Sequence, residues 1–185
     1  MKNKIVLCGF MLIFAVLVAC GSTKNETVIP EDATPMERIW HFADDMDFKK
    51  SDLKVVQGTP DTDRYGISFH FDDIALDETS FMRQMFSVYV DICRDAYALD
   101  DVNIVEMYVF TDMTDQKGNT ASEKGFAMSM EKEKFQEYNW DNLNNQKVNI
   151  DVIKNDCLMF YVHPGIFQNF NERGFFYSSR KTGGD

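Results

Sequence analysis

Residues 77–99 read DETSFMRQMFSVYVDICRDAYAL. Phe81, Met82, Met85, Phe86, Tyr89, Ile92, Cys93 and Ala96 recur at intervals of three and four, the spacing of one side of an α-helix. Arg83, Gln84, Ser87, Asp91, Arg94, Asp95 and Ala98 make a narrow stripe opposite. So wide an apolar arc suits a helix laid across a sheet and covered on both flanks. Asp100-Asp101 ends it.

The chain on either side supplies the sheet. Tyr65, Ile67, Phe69 and Phe71 alternate with Gly66, Ser68, His70 and Asp72, a period of two that marks a half-buried strand with His70 on its polar side. Leu53–Val56 is a short strand before it, closed by Gly58-Thr59-Pro60-Asp61. Val102–Thr111 is apolar on both sides and predicts a central strand, with Glu106 near the edge of the covered area. Gly118-Asn119 turns the chain into a partner strand through Phe126, Met128 and Met130.

Beyond it, Glu131–Tyr138 predicts one or two helical turns. Val148, Ile150 and Val152 predict another strand, Lys154-Asn155-Asp156 a turn, and Cys157–Val162 a buried strand stopped by His163-Pro164-Gly165. The aromatics Phe167, Phe170, Phe175, Phe176 and Tyr177 are expected to pack back in part, with Arg180–Asp185 frayed. Nearer the start, Thr34-Pro35-Met36-Glu37 combines an N-cap threonine, an early proline and a glutamate at N3, a capping box. Met36, Ile39, Trp40, Ala43 and Met46 follow at helical spacing. The expected fold is α+β: an antiparallel sheet of about five to six strands, with one long amphipathic helix and one or two shorter helices packed on it.

The first twenty residues have another purpose. Lys2 and Lys4 precede an apolar run from Ile5 to Ala19, shorter than the roughly 20 residues a bilayer span needs. Its ending, Leu17-Val18-Ala19-Cys20, resembles the lipobox of bacterial lipoproteins. That resemblance covers this segment only. It implies that residues 1–19 are a signal removed from the mature chain and that the Cys20 thiol takes a diacylglyceryl group. It further implies that the protein sits lipid-anchored on the extracytoplasmic side of a membrane. A plain signal peptide and an uncleaved anchor are the competing readings. Residues 20–33 read as the lipidated cysteine and a polar tether, and residues 34–185 as a single α+β domain.

Removing the signal takes away two of the 19 basic residues and none of the 30 acids, so the formal charge moves from −11 to −13. Nucleic acid is therefore an unsuitable partner, since phosphate binding needs clustered Lys and Arg. Two thiols remain besides Cys8 and Cys20. Cys93 and Cys157 either pair as a disulfide or stay as buried free cysteines, and spacing does not decide between them.

No stretch carries a catalytic or cofactor motif. There is no Gly-x-Ser-x-Gly elbow, no Ser-x-x-Lys and no glycine-rich phosphate loop. His41, His70 and His163 stand in separate elements without ligand spacing. The loop from Asp112 to Asn119 departs from the EF-hand pattern: glycine is at its seventh position rather than the sixth, and Glu123 falls at the twelfth without the intermediate ligands. Acids such as Asp44, Asp45, Asp47, Asp72, Asp73, Asp77, Glu78, Asp100 and Asp101 are abundant but have no set separation. The expectation is a non-enzymatic, lipid-anchored binding or interaction module of the envelope, with no cofactor and no metal. Its partner would be an envelope protein or glycan. The alternative is an envelope hydrolase using paired carboxylates on glycan or peptide.

Overall fold

The computed structural model describes residues 29–58, 63–73, 75, 77–143 and 150–169. Cys20, Val148 and residues 170–185, with their aromatics, lie outside the described residues. Helix α1 spans Pro35–Asp44, followed by strands β1 (Lys50–Gln57) and β2 (Arg64–Phe71). Helix α2 (Glu78–Ala96) leads to β3 (Ile104–Thr114) and β4 (Thr120–Glu131). Short helices α3 (Lys132–Gln136), α4 (Trp140–Leu143) and α5 (Ile150–Asp156) precede β5 (Met159–Val162) and α6 (Pro164–Asn169).

Local chemistry explains the boundaries. Thr34 Oγ1 accepts from the Glu37 amide at 3.3 Å, and the Glu37 carboxylate accepts from the Thr34 amide at 2.8 Å, closing the expected capping box. The Thr34 amide, and then the Thr34 hydroxyl, donate to that carboxylate, favour its ionised form and hold its pKa low. Asp77 caps α2 by accepting from the Ser80 amide at 2.7 Å. Pro164 opens α6, where its missing N–H costs nothing, so the proline that ends β5 also begins a helix.

The strands form one sheet in the order β1-β2-β3-β4-β5. Three of its pairings are antiparallel, as expected, but β2 and β3 run parallel, so the sheet is mixed. A parallel pair needs a long crossover, and α2 supplies it. A second correction concerns Ile150–Asp156, a helix where alternation predicted a strand and then a turn. Ile150 and Ile153 are its buried residues, one helical turn apart. Three alternating apolar residues fit either period, and tertiary packing decides.

The core lies on one side of the sheet. Tyr65, Ile67, Phe69 and Phe71 of β2, Val105, Met107 and Val109 of β3, and Phe126, Met128 and Met130 of β4 form a single cluster with the buried side of α2. The same cluster holds Ile39 and Ala43 of α1, Phe135 of α3, Trp140 of α4, Ile150 and Ile153 of α5, and Ile166 of α6. Each described helix thus packs on this side. Met36 and Trp40, counted with the apolar stripe of α1 by spacing, are 41% and 38% exposed.

Two tyrosines pin α2 to the strands below it. The hydroxyl of Tyr89 donates to the Val105 carbonyl at 3.1 Å. The hydroxyl of Tyr97 donates to the Met130 carbonyl and accepts the Val105 amide, bridging β3 and β4 where those residues face each other. Burial raises the pKa of both phenols, so both stay protonated donors.

Candidate functional site: the helix-free sheet face

Residues between the core positions point the other way. Gly66, Ser68 and His70 of β2 register with Glu106, Tyr108 and Phe110 of β3, and these in turn with Ser129, Ala127 and Lys124 of β4. Met159 and Tyr161 of β5 complete the rows beside Ser129 and Ala127. Val56 and Lys54 extend them onto β1. The strand expected to be buried on both faces is thus covered on one: Ile104, Glu106 and Tyr108 are half-buried, and Phe110 is exposed. β3 is central because it pairs on both edges; the described helices cover one face only.

Three polar groupings stand on this face. Arg64 reaches Glu106 at 3.4 Å, and the Tyr108 hydroxyl donates to the other Glu106 oxygen at 3.0 Å. Burial, then the neighbouring carboxylate, raises the Tyr108 pKa. The Lys124 ammonium lies 4.4 Å from the centre of the Tyr161 ring, a cation–π contact. At the end of the sheet, His70 Nδ1 is 3.1 Å from Ser122 Oγ, and its Nε2 is 3.4 Å from Asp112 and 3.6 Å from Asp72.

His70, expected to be solvated, is therefore half-buried among partners from β3, from β4 and from Asp72 just past the end of its own strand. Nothing in its own spacing reveals them. Asp112 and Ser122 become its neighbours through the parallel β2–β3 register and the β3–β4 hairpin. The grouping has the residue types of a nucleophilic triad, but Ser122 is exposed within a strand ladder, opposite Asp112. A nucleophile elbow instead presents its serine at a strand-to-helix turn beside free amides.

Between these groups, Ala127 and Ser129 are fully buried, and Ser129 Oγ has no hydrogen-bond partner among the described residues. A buried orphan hydroxyl costs about 1–3 kcal/mol. The face thus combines half-exposed rings, a salt-bridged carboxylate and one unsatisfied hydroxyl.

The remaining sequence candidates are spread over the molecule. His163 Nδ1 accepts the Gly165 amide at 3.1 Å, which leaves Nε2–H to donate to Glu123 at 3.0 Å. His41 caps the last turn of α1, accepting the Asp45 amide with its backbone carbonyl. In the hairpin turn, Asp115 accepts the Asn119 side-chain amide at 2.9 Å and the backbone amides of Asn119 and Lys117 at 2.8 Å, bonds that lower its pKa and occupy both its oxygens. Gly118 takes φ 83° there. Cys93 is buried in α2 and Cys157 is half-buried between α5 and β5. Both are free thiols here, so the disulfide considered from sequence is not formed in this structure. Burial raises both thiol pKa values, Cys157 to about 12.

Elsewhere, a shallow depression of about 420 Å³ lies beside Tyr138 and Trp140. The Arg94–Asp141 ion pair, 2.7 Å long, stands at its mouth. Trp140 stacks against Phe135 and Tyr138 with ring centres 4.8 Å apart on each side, so its surface is already used in packing. Among the described residues no cluster of three or more His, Cys, Asp or Glu side chains suits a metal ion, and no helix is long and apolar enough to cross a membrane.

The class so defined is an α+β protein built on a five-stranded mixed sheet. No family model matches the chain, and comparison with curated proteins and with solved structures finds no significant match.

Proposed function

We propose that this protein is a lipid-anchored interaction module of a bacterial envelope, tethered through Cys20 and engaging a partner with the helix-free side of its sheet. One observation carries the binding part of this reading. Every described helix contributes to the core on one side of the sheet, which leaves Tyr108, Phe110, Tyr161 and Val56 at least partly accessible on the other. Rings of this kind give contact area at low entropic cost, and the Arg64–Glu106 and His70 groupings add orientation. Support for the anchor comes from the sequence of residues 1–20.

The anchor is tested by mass and fractionation. Mature wild type should begin at an acylated Cys20 and sediment with membranes, whereas Cys20→Ala should accumulate at precursor mass. Normal processing of that variant would defeat the lipoprotein reading. A hydrolase remains the second reading because Asp72 and Asp112 converge on His70 beside Ser122. It requires turnover of envelope glycan or peptide that Asp112→Asn abolishes. Turnover unchanged in that variant removes it.

A further inference from the structure

The sheet ends in two edges of different construction. β1 is defended: its pairing slips between Ser51 and Lys54, Asp52 takes φ 52°, and Lys50, Asp52 and Lys54 charge the strand. A bulge, a left-handed residue and alternating charges each discourage a further strand from pairing. β5 carries none of these. Met159-Phe160-Tyr161-Val162 has no charge and no proline, and its register with β4 is continuous. Among the described residues it has a neighbour on one side only.

The segments around β5 add a second, independent observation. Val152 of α5, Leu158 just before β5 and Phe167 of α6 are 50%, 52% and 49% exposed. They are three of the seven exposed large apolar side chains among the described residues, and all three fall within the stretch from α5 to α6. An open edge gives backbone hydrogen bonds, and apolar side chains left exposed on the segments just before and after it in the chain give a partner something to bury.

We propose that β5 is a docking edge for an extended, positively charged peptide segment of a partner, which adds a sixth strand. This rests on the interaction-module reading and names the partner's chemistry. An added strand would continue the helix-free face next to Met159 and Tyr161. The charge of the chain selects the occupant. At −11, or −13 once the signal with its two lysines is removed, it disfavours a second copy and favours a cationic strand. Asp156, which accepts the Tyr138 hydroxyl, precedes the edge, and Glu123 stands at its far end through His163; against these two acids stands Lys124, held over the Tyr161 ring from the β4 side.

The test uses the full chain in detergent and an eight-residue peptide alternating lysine and valine. Binding should saturate, weaken as salt is raised, and slow amide exchange within residues 157–163. N-methylation of alternate peptide amides should weaken binding by about tenfold or more, since it removes edge hydrogen bonds. Leu158→Lys, at an exposed position that leaves the fold intact by circular dichroism, should also weaken it. Equal binding of a glutamate–valine peptide would overturn the choice of a cationic partner. Slow exchange without peptide at those amides of 159–162 that do not bond to β4 would overturn the open edge, because the chain's own segment then occupies it. Slowing that grows with protein concentration would do so in favour of a second copy. If the peptide instead protects Val56 and Phe110 but not 159–162, the edge proposal fails and the interaction-module reading stands. Absence of any binding counts against both, and protection by an envelope fraction on the helix-free face would then restore only the latter.

Discussion

The two faces of the sheet share the same strands yet obey different rules. On one, Met107 is fully buried in a continuous apolar cluster. One residue along, Tyr108 is half-buried and hydrogen-bonded to Glu106. The contrast teaches where this fold gets its stability. Packing beneath the helices sets most of it, while the accessible positions of the other face, unlike its buried Ala127 and Ser129, can vary in chemistry with little effect on folding.

The widest gap should appear between neighbours on β3. Met107→Ala is expected to cost about 2–5 kcal/mol through lost burial and the cavity left behind. Phe110→Ala, at a side chain 37% exposed, should cost less than about 1 kcal/mol. Urea denaturation of both variants measures this, and equal costs would break the distinction between the faces.

A smaller effect is expected from Tyr97→Phe, which keeps the ring but deprives the Val105 amide and the Met130 carbonyl of their shared hydroxyl. Leaving a buried backbone group unpaired costs about 1–3 kcal/mol. Amide exchange should then quicken at Val105 more than at Met107.

The effect that vanishes near neutrality concerns alkaline pH. In the unfolded chain Cys157 ionises near 9.0, whereas in the fold burial holds it protonated to about 12. Between those values the unfolded state releases a proton that the folded state keeps, so stability falls as pH rises through that window. Below it the thiol contributes no slope. Cys157→Ser should flatten part of the alkaline decline in unfolding free energy. An unchanged decline would locate the effect at other groups, such as Cys93.

How much of this was legible in the sequence varies by element, for physical reasons. α2 was legible because its apolar positions repeat over many turns, and all eight named from spacing are buried. The cap at Thr34 was legible because its chemistry is local. Ile150–Asp156 was not, since its alternation is too short to separate helix from strand. The parallel pairing of β2 with β3 was hidden because strand direction is a tertiary property. With it was hidden the meeting of His70 with Asp112 and Ser122, which depends on register across three strands. Tyr161 beneath Lys124 was hidden for the same reason.

The parallel pair also fixes an order of events in time. Met107 and Met128 face each other across a hairpin that the chain can close locally within microseconds. Ile67 meets the same Met107 only after the chain between them, α2 included, has been drawn back. Closing so long a loop carries an entropic cost before any contact repays it. Loop-closure entropy therefore favours closing the β3–β4 hairpin first and adding β2, with β1, later, an order that pulsed amide labelling during refolding at Met107 and Ile67 would test. Until β2 joins, the edge of β3 that ends in the middle of the sheet stands open, which makes the nascent chain most prone to wrong pairings at the strand that the finished protein protects best.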